Sequence, residues 1–136
     1  MPAVSGAKPW WRHLFGSRAE RAAARFLRRL GYRIVARNYT CPHGELDLVA
    51  VDRGCVVFVE VRSTGTADVE RPAASVEQNK QRRLTTLALH FLQQHRLLDH
   101  PARFDVVAVS WPAGRREPVI VHHPHAFEAA GRFQMY

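Results

Sequence analysis

The sequence predicts an α/β sandwich built on a mixed sheet, with elements in the order α-β-β-β-α-β-β. Three observations carry this expectation. Two segments repeat apolar residues at helical spacing, whereas five short segments are rich in Val, Ile, Phe and Tyr. The first three strand-like segments are joined by short turns, so they form an antiparallel meander. A helical segment separates the third from the fourth, which makes a strand-helix-strand unit with a parallel, right-handed crossover.

Residues 1–16 contain Pro, Gly, Ser and the Trp10-Trp11 pair, and are expected to form a flexible N-terminal arm. The stretch SRAERAAARFLRRLGY follows. Ser17 is a good N-cap, Glu20 stands three residues later as in a capping box, and Gly31 ends the helix. Ala23, Ala24, Leu27 and Leu30 fall on one face, and Arg18, Arg21, Arg25 and Arg28 on another. YRIVARNYT reads as the first strand, then GELDLVAV, a turn at Asp52-Arg53-Gly54-Cys55, and VVFVEVR. The second and third strands are apolar on both faces, as strands covered on two sides are. A polar loop leads to SVEQNKQRRLTTLALHFLQQH, a helix opened by a second capping box at Ser75 and Gln78. Its core stripe is Leu84, Leu87, Ala88, Phe91 and Leu92. ARFDVVAVS is the fourth strand and EPVIVHH a short fifth. The expected domain is thus 17–122, with a tail over 123–136 that carries a helical turn after Pro124. His122, His123 and His125 belong to this exposed end, and Pro124 breaks any metal-ligand spacing among them.

The chain has 136 residues, 46% of them hydrophobic, so one folded domain is expected. Twenty Lys and Arg against twelve Asp and Glu give a net charge of +8, which favours a polyanionic partner, nucleic acid before membrane. Cys41 and Cys55 have no CxxC spacing, so structural zinc is not expected. No apolar run is long enough to span a membrane, and PWWRHLF is too short and polar for a signal peptide. A cytoplasmic location fits these features.

The hairpin raises the main chemical question. If Asp52 pairs with Cys55, then Val49 faces Phe58, Asp47 faces Glu60, and Glu45 faces Arg62. Four charges then share one face at one end of the sheet. Opposed carboxylates repel, so a cation belongs there. One candidate is Mg²⁺, which takes one or two carboxylates and engages phosphate. The other is Arg62 itself, in a satisfied ion cluster. Glu20 is either a helix cap or a third carboxylate at the edge of the sheet. Gln78 and Lys80 open the second helix just beyond the hairpin, and Asp105, at the start of the fourth strand, either sits near the same sheet end or salt-bridges to Arg103 or Arg82. Arg82 and Arg83, with the arginine ridge Arg18, Arg21 and Arg25, could flank a phosphate track or be a solvated face. No Gly-rich phosphate loop or nucleophile motif is present, so any hydrolysis would depend on metal.

With these residues assembled, GELDLVAVD, VVFVEVR and SVEQNKQRRL resemble the YraN-type family of small bacterial proteins over roughly residues 17–111. That family is similar to restriction-endonuclease-like nucleases and archaeal Holliday junction resolvases. The resemblance implies a restriction-endonuclease-like three-layer sandwich with a mixed five-stranded sheet, and a PD-(D/E)xK-type site using Mg²⁺ or Mn²⁺. Asp47 and Glu60 would match its metal-binding acids, Glu20 the helix glutamate, and Gln78 the glutamine of the next helix. Arg62 stands where the pattern has lysine. Arginine stays protonated and cannot serve as a base, but it can stabilise charge on a phosphate. Lys80 could supply the missing ammonium. The resemblance implies DNA, including branched DNA, as partner and substrate, and a possible homodimer. The alternatives are a catalytically silent nucleic-acid-binding module and a protein-interaction domain with a structural ion cluster.

Overall fold

A computed structural model describes residues 10–63 and 76–129. Its elements are α1 (Trp10–Arg29), β1 (Arg33–Cys41), β2 (Gly44–Asp52), β3 (Cys55–Ser63), α2 (Gln78–Gln94), β4 (Ala102–Ser110) and β5 (Val119–Phe127). The sheet order is β1-β2-β3-β4-β5. β3 and β4 are parallel, and the other neighbours are antiparallel. This is the mixed five-stranded topology expected from the sequence.

Two apolar layers enclose the sheet. On one face Ala19, Ala23, Ala24 and Leu27 of α1 pack on Leu48, Ala50, Val57, Val59, Val107 and Val109. On the other, Leu84, Leu87, Ala88, Phe91 and Leu92 of α2 pack on Leu46, Val49, Val56, Phe58 and Phe104. The central strands are therefore apolar on both sides because each face meets a helix. Leu87 is buried at the centre of the second layer. Leu87→Ala is expected to cost about 2–5 kcal/mol, read from the urea midpoint.

The β2–β3 turn explains the register. Arg53 and Gly54 both have positive φ, 53° and 81°, as the two central residues of a type I′ hairpin require. The loop thus has two residues, and Asp52 pairs with Cys55 and Val49 with Phe58 as expected. Gly31, φ 99°, follows the end of α1, and the Tyr32 amide reaches back to the Leu27 carbonyl in a Schellman closure.

Several sequence expectations change. α1 starts at Trp10, so part of the expected arm is helical and Ser17 lies inside the helix rather than capping it. Leu30 is 53% exposed, because the helix has ended before it can return to the sheet. α2 starts at Gln78 behind N-cap Glu77, which makes no side-chain cap bond, so Gln78 is not the third residue of a capping box. Ser75 lies outside the described residues. β5 continues to Phe127, so the first residues of the expected tail, where a helical turn was expected after Pro124, form an edge strand, and residues 130–136 lie outside the described residues. Its register slips against β4 between Phe104 and Val106, which lets the strand pass Pro124. Cys41 and Cys55 are free thiols.

Candidate functional site

The β2–β3 ladder runs from Asp52↔Cys55 to Leu48↔Val59 and stops there. The expected continuation, Asp47 opposite Glu60 and Glu45 opposite Arg62, is not part of it. The cause lies in β2. Leu46 and Leu48 are two residues apart, yet Leu46 joins the α2 layer and Leu48 the α1 layer. An ideal strand would put both on one face. β2 therefore twists between them, and β1 twists with it at Asn38, whose φ is 53°. Asp47 sits at the twist. Its Oδ2 accepts the Val61 N–H at 2.8 Å, so the side chain takes a position that the ladder would have filled. Asp47 is only 9% exposed, and this bond fixes its carboxylate one peptide away from Glu60.

Glu60 follows the alternation of β3 onto the α2 face. There it forms an ion pair with Lys80 in the first turn of α2. The Glu60 side chain is 12% exposed and that of Lys80 42% exposed, so the pair sits at the rim of the sandwich. Lys80, supplied by the helix, is thus a cation at Glu60. Arg62 lies two residues further on, half-buried, where β3 pairs with Ala108 of β4. The site occupies the carboxyl end of the parallel β3–β4 pair, beside the N-terminus of the crossover helix. Open α/β sheets generally bind ligands at such an end, and the helix N-terminus there favours anions.

Glu20 is 6% exposed, on the side of α1 that packs against the sheet. Since Ser17 is not a cap, the capping reading of Glu20 is gone. Glu20 approaches from the α1 layer, whereas Glu60 and Lys80 lie in the α2 layer. Among the described residues no group of three or more His, Cys, Asp or Glu is arranged to hold a metal. The donor chemistry of Asp47 and Glu60 nonetheless suits Mg²⁺, which needs only one or two hard carboxylate ligands and keeps its waters.

The basic residues divide between layers. Arg21 and Arg25 are exposed on α1, and Arg82 and Arg83 on α2, on opposite sides of the sheet. They do not form one track across a single face. Arg82, Arg83 and the exposed Gln78 share a helix with Lys80. Arg18 stacks its guanidinium 3.9 Å above the Trp111 ring, just past the end of β4.

A second polar cluster lies on the α1 face, built around the Asp105–Arg103 salt bridge that the sequence offered as one reading. Asp105 is wholly buried. His122 Nε2 lies 2.8 Å from its Oδ2, while Arg103 Nε and the His125 amide each donate to Oδ1 at 3.0 Å. Arg103 also donates to Tyr32 Oη at 2.6 Å and to Asp52 Oδ2 at 3.2 Å. Burial alone would push the Asp105 carboxyl up, but the bonds from His122, Arg103 and the His125 amide outweigh it and hold the group below its ordinary value. Burial likewise pushes the Tyr32 phenol up, aided by Asp105. The paired Arg103 and Asp105 were visible in ARFDVVAVS. Tyr32 and His122 were not, since they are far away in sequence and only the fold joins them.

A family model described as "Uncharacterised protein family UPF0102" matches residues 19–109. The chain belongs to the UPF0102 family. This is the YraN-type family that the sequence resembles. A UPF0102 protein of Myxococcus xanthus is 45% identical over 124 residues, covering 90% of this chain and 96% of the relative. One from Rhodopirellula baltica is 42% identical over 124 residues, covering 89% and 74%. One from Trichlorobacter lovleyi is 42% identical over 116 residues, covering 85% and 91%. The UPF0102 segment encloses Glu20, Asp47, Glu60, Arg62, Gln78 and Lys80, but stops short of His122. Among the described residues no helix is long and apolar enough to cross a membrane.

Proposed function

We propose that this UPF0102 chain is a nuclease-like, nucleic-acid-binding protein that hydrolyses DNA phosphodiester bonds with Mg²⁺ or Mn²⁺. One observation carries the reading: Lys80 places an ammonium on Glu60, one peptide from the bond that fixes Asp47. Two acids and one amine at the end of a parallel strand pair form the minimal set for such chemistry. Asp47 and Glu60 would hold the ion, with Glu20 assisting from α1. When bound, the ion would activate water and offset charge on the phosphate.

The chain's own residues supply the rest. The Val61 amide holds the Asp47 carboxylate in place. Lys80, a compact point charge, orients Glu60 and stabilises charge developing on the phosphate oxygens. Arg62 adds a permanent positive charge and takes no proton from water. Gln78, Arg82 and Arg83, on the exposed start of α2, bind the flanking backbone. Water attacks phosphorus, the bond to the leaving oxygen breaks, and that oxygen ends protonated.

A second reading draws on the same ion pair. A Lys80–Glu60 ion pair also suits a catalytically silent module that only binds nucleic acid. One experiment separates the readings. The protein is incubated with linear duplex, single-stranded and four-way-junction DNA, with Mg²⁺ or Mn²⁺. Metal-dependent cleavage abolished by Asp47→Ala supports the nuclease. No cleavage, even by Arg62→Lys, with binding that weakens steeply in salt, selects the silent module. Absence of DNA binding at low salt rejects both and leaves a protein-interaction domain.

A further inference from the structure

A different group of side chains gathers on the α2 face, far along the helix from Lys80. Tyr39 of β1 reaches across to α2, where its hydroxyl lies 2.6 Å from Gln94 Oε1 and 2.8 Å from His90 Nδ1. The amide oxygen of Gln94 only accepts, so the hydroxyl donates its single proton there. Toward His90 the hydroxyl must then accept. His90 Nδ1 therefore carries the ring proton, and its Nε2 keeps the lone pair. This relay is the arrangement that prepares a histidine for a metal: one ring nitrogen is tied to a partner, which fixes the tautomer and leaves the other as ligand.

A second imidazole stands beside it. His43, exposed in the β1–β2 turn, has its ring centroid 5.8 Å from that of His90, at an interplanar angle of 66°. With metal–nitrogen bonds of ~2.0–2.1 Å, each ring centre lies ~3.2 Å from a shared metal. Two such rings are then ~5.2 Å apart at a tetrahedral angle and ~6.4 Å apart if opposed. The observed spacing falls between these limits. The turn is also well supported, because Gly44 packs directly against Leu87, where an added Cβ would lie 3.6 Å from Leu87 Cδ1.

We propose that His43 and His90 form a binding site for a borderline divalent transition ion, Zn²⁺, Ni²⁺ or Cu²⁺, with Tyr39 and Gln94 as positioning residues. Imidazole ligands favour these ions over Mg²⁺, so the site is chemically distinct from the carboxylate site at Glu60. Among the described residues no third His, Cys, Asp or Glu completes the set, so solvent would supply the remaining ligands. Binding ties the β1–β2 turn to the middle of α2. The His95 ring instead stacks on Phe91, with 4.1 Å between centroids, and serves as the control.

The test is titration of the tag-free full chain with ZnCl₂ and NiCl₂ by calorimetry, with thermal unfolding alongside. The expected result is a single saturable site and a higher melting temperature with metal. His43→Ala and His90→Ala each weaken binding by ~10-fold or more, and Tyr39→Phe falls in the range of ~10–100-fold typical of outer-shell partners. His95→Ala leaves it unchanged. His43 is exposed in a turn, so His43→Ala keeps the fold and isolates loss of the ligand. The proposal is overturned if the chain shows no saturable binding, or if binding and thermal shift survive in His43→Ala.

Discussion

Asp105→Ala is expected to destabilise the fold by about 3–5 kcal/mol, the cost of breaking a buried charged pair. That is a large fraction of a typical domain's ~5–15 kcal/mol. Asp105 is wholly buried and accepts from Arg103, His122 and the His125 amide. Its loss would leave Arg103, whose side chain is 19% exposed, with the neutral Tyr32 hydroxyl and the longer contact to Asp52. It would also release β5 at the register slip, where the His125 amide depends on Asp105 rather than on a ladder partner. The direction of the Asp105 shift gives the experiment a pH signature. Its folded value lies below the unfolded one, so the unfolded state takes up a proton first as pH falls. The stabilisation is complete above the ordinary carboxylate value of ~3.9 and is lost as pH drops through the folded value. Urea midpoints of wild type and Asp105→Asn should therefore differ widely at neutral pH and converge in strong acid. A constant difference across that range would show that packing, not charge, explains the loss.

The second large effect is expected at Asp47. Asp47→Asn keeps an oxygen able to accept the Val61 N–H but removes the charge. Under the nuclease reading it should lower metal-dependent cleavage by ~10²-fold or more while leaving DNA binding and the urea midpoint close to wild type. Lys80→Gln tests the same site from the helix. It should lower cleavage comparably, and Glu60 would lose its ion-pair partner. If Asp47→Asn cleaves normally, the carboxylate is a strand clamp and not a ligand. Because Asp47 and Lys80 contact one shared site, their effects should be strongly non-additive in the double variant.

Much of the fold was legible in local sequence. The hairpin register followed from Arg53-Gly54, because a two-residue turn with both φ positive leaves only one pairing of the flanking strands. The core stripe of α2 followed from its period, and Leu84, Leu87, Ala88, Phe91 and Leu92 are all buried. Other features were misread for physical reasons. Ser17 and Glu20 have the spacing of a cap, but a helix that continues upstream has no free amides there to cap. The three C-terminal histidines look like an exposed tail, yet His122 is drawn inward by a carboxylate seventeen residues earlier.

The candidate site divides along the same line. From sequence alone came the acids Asp47 and Glu60, their place at one end of a hairpin, and the need for a cation beside them. Alternation and turn geometry are local rules, and they suffice for that. Which cation answers Glu60 was decided only by tertiary structure. Lys80, twenty residues away, is brought over the sheet to Glu60 by the crossover helix. The twist at Asp47 was likewise invisible, since it arises where β1 and β2 turn together between two helix-covered layers. Local patterns determine which residues carry charge and which face they start from. Packing of helices on both sides of one sheet determines which of those charges meet.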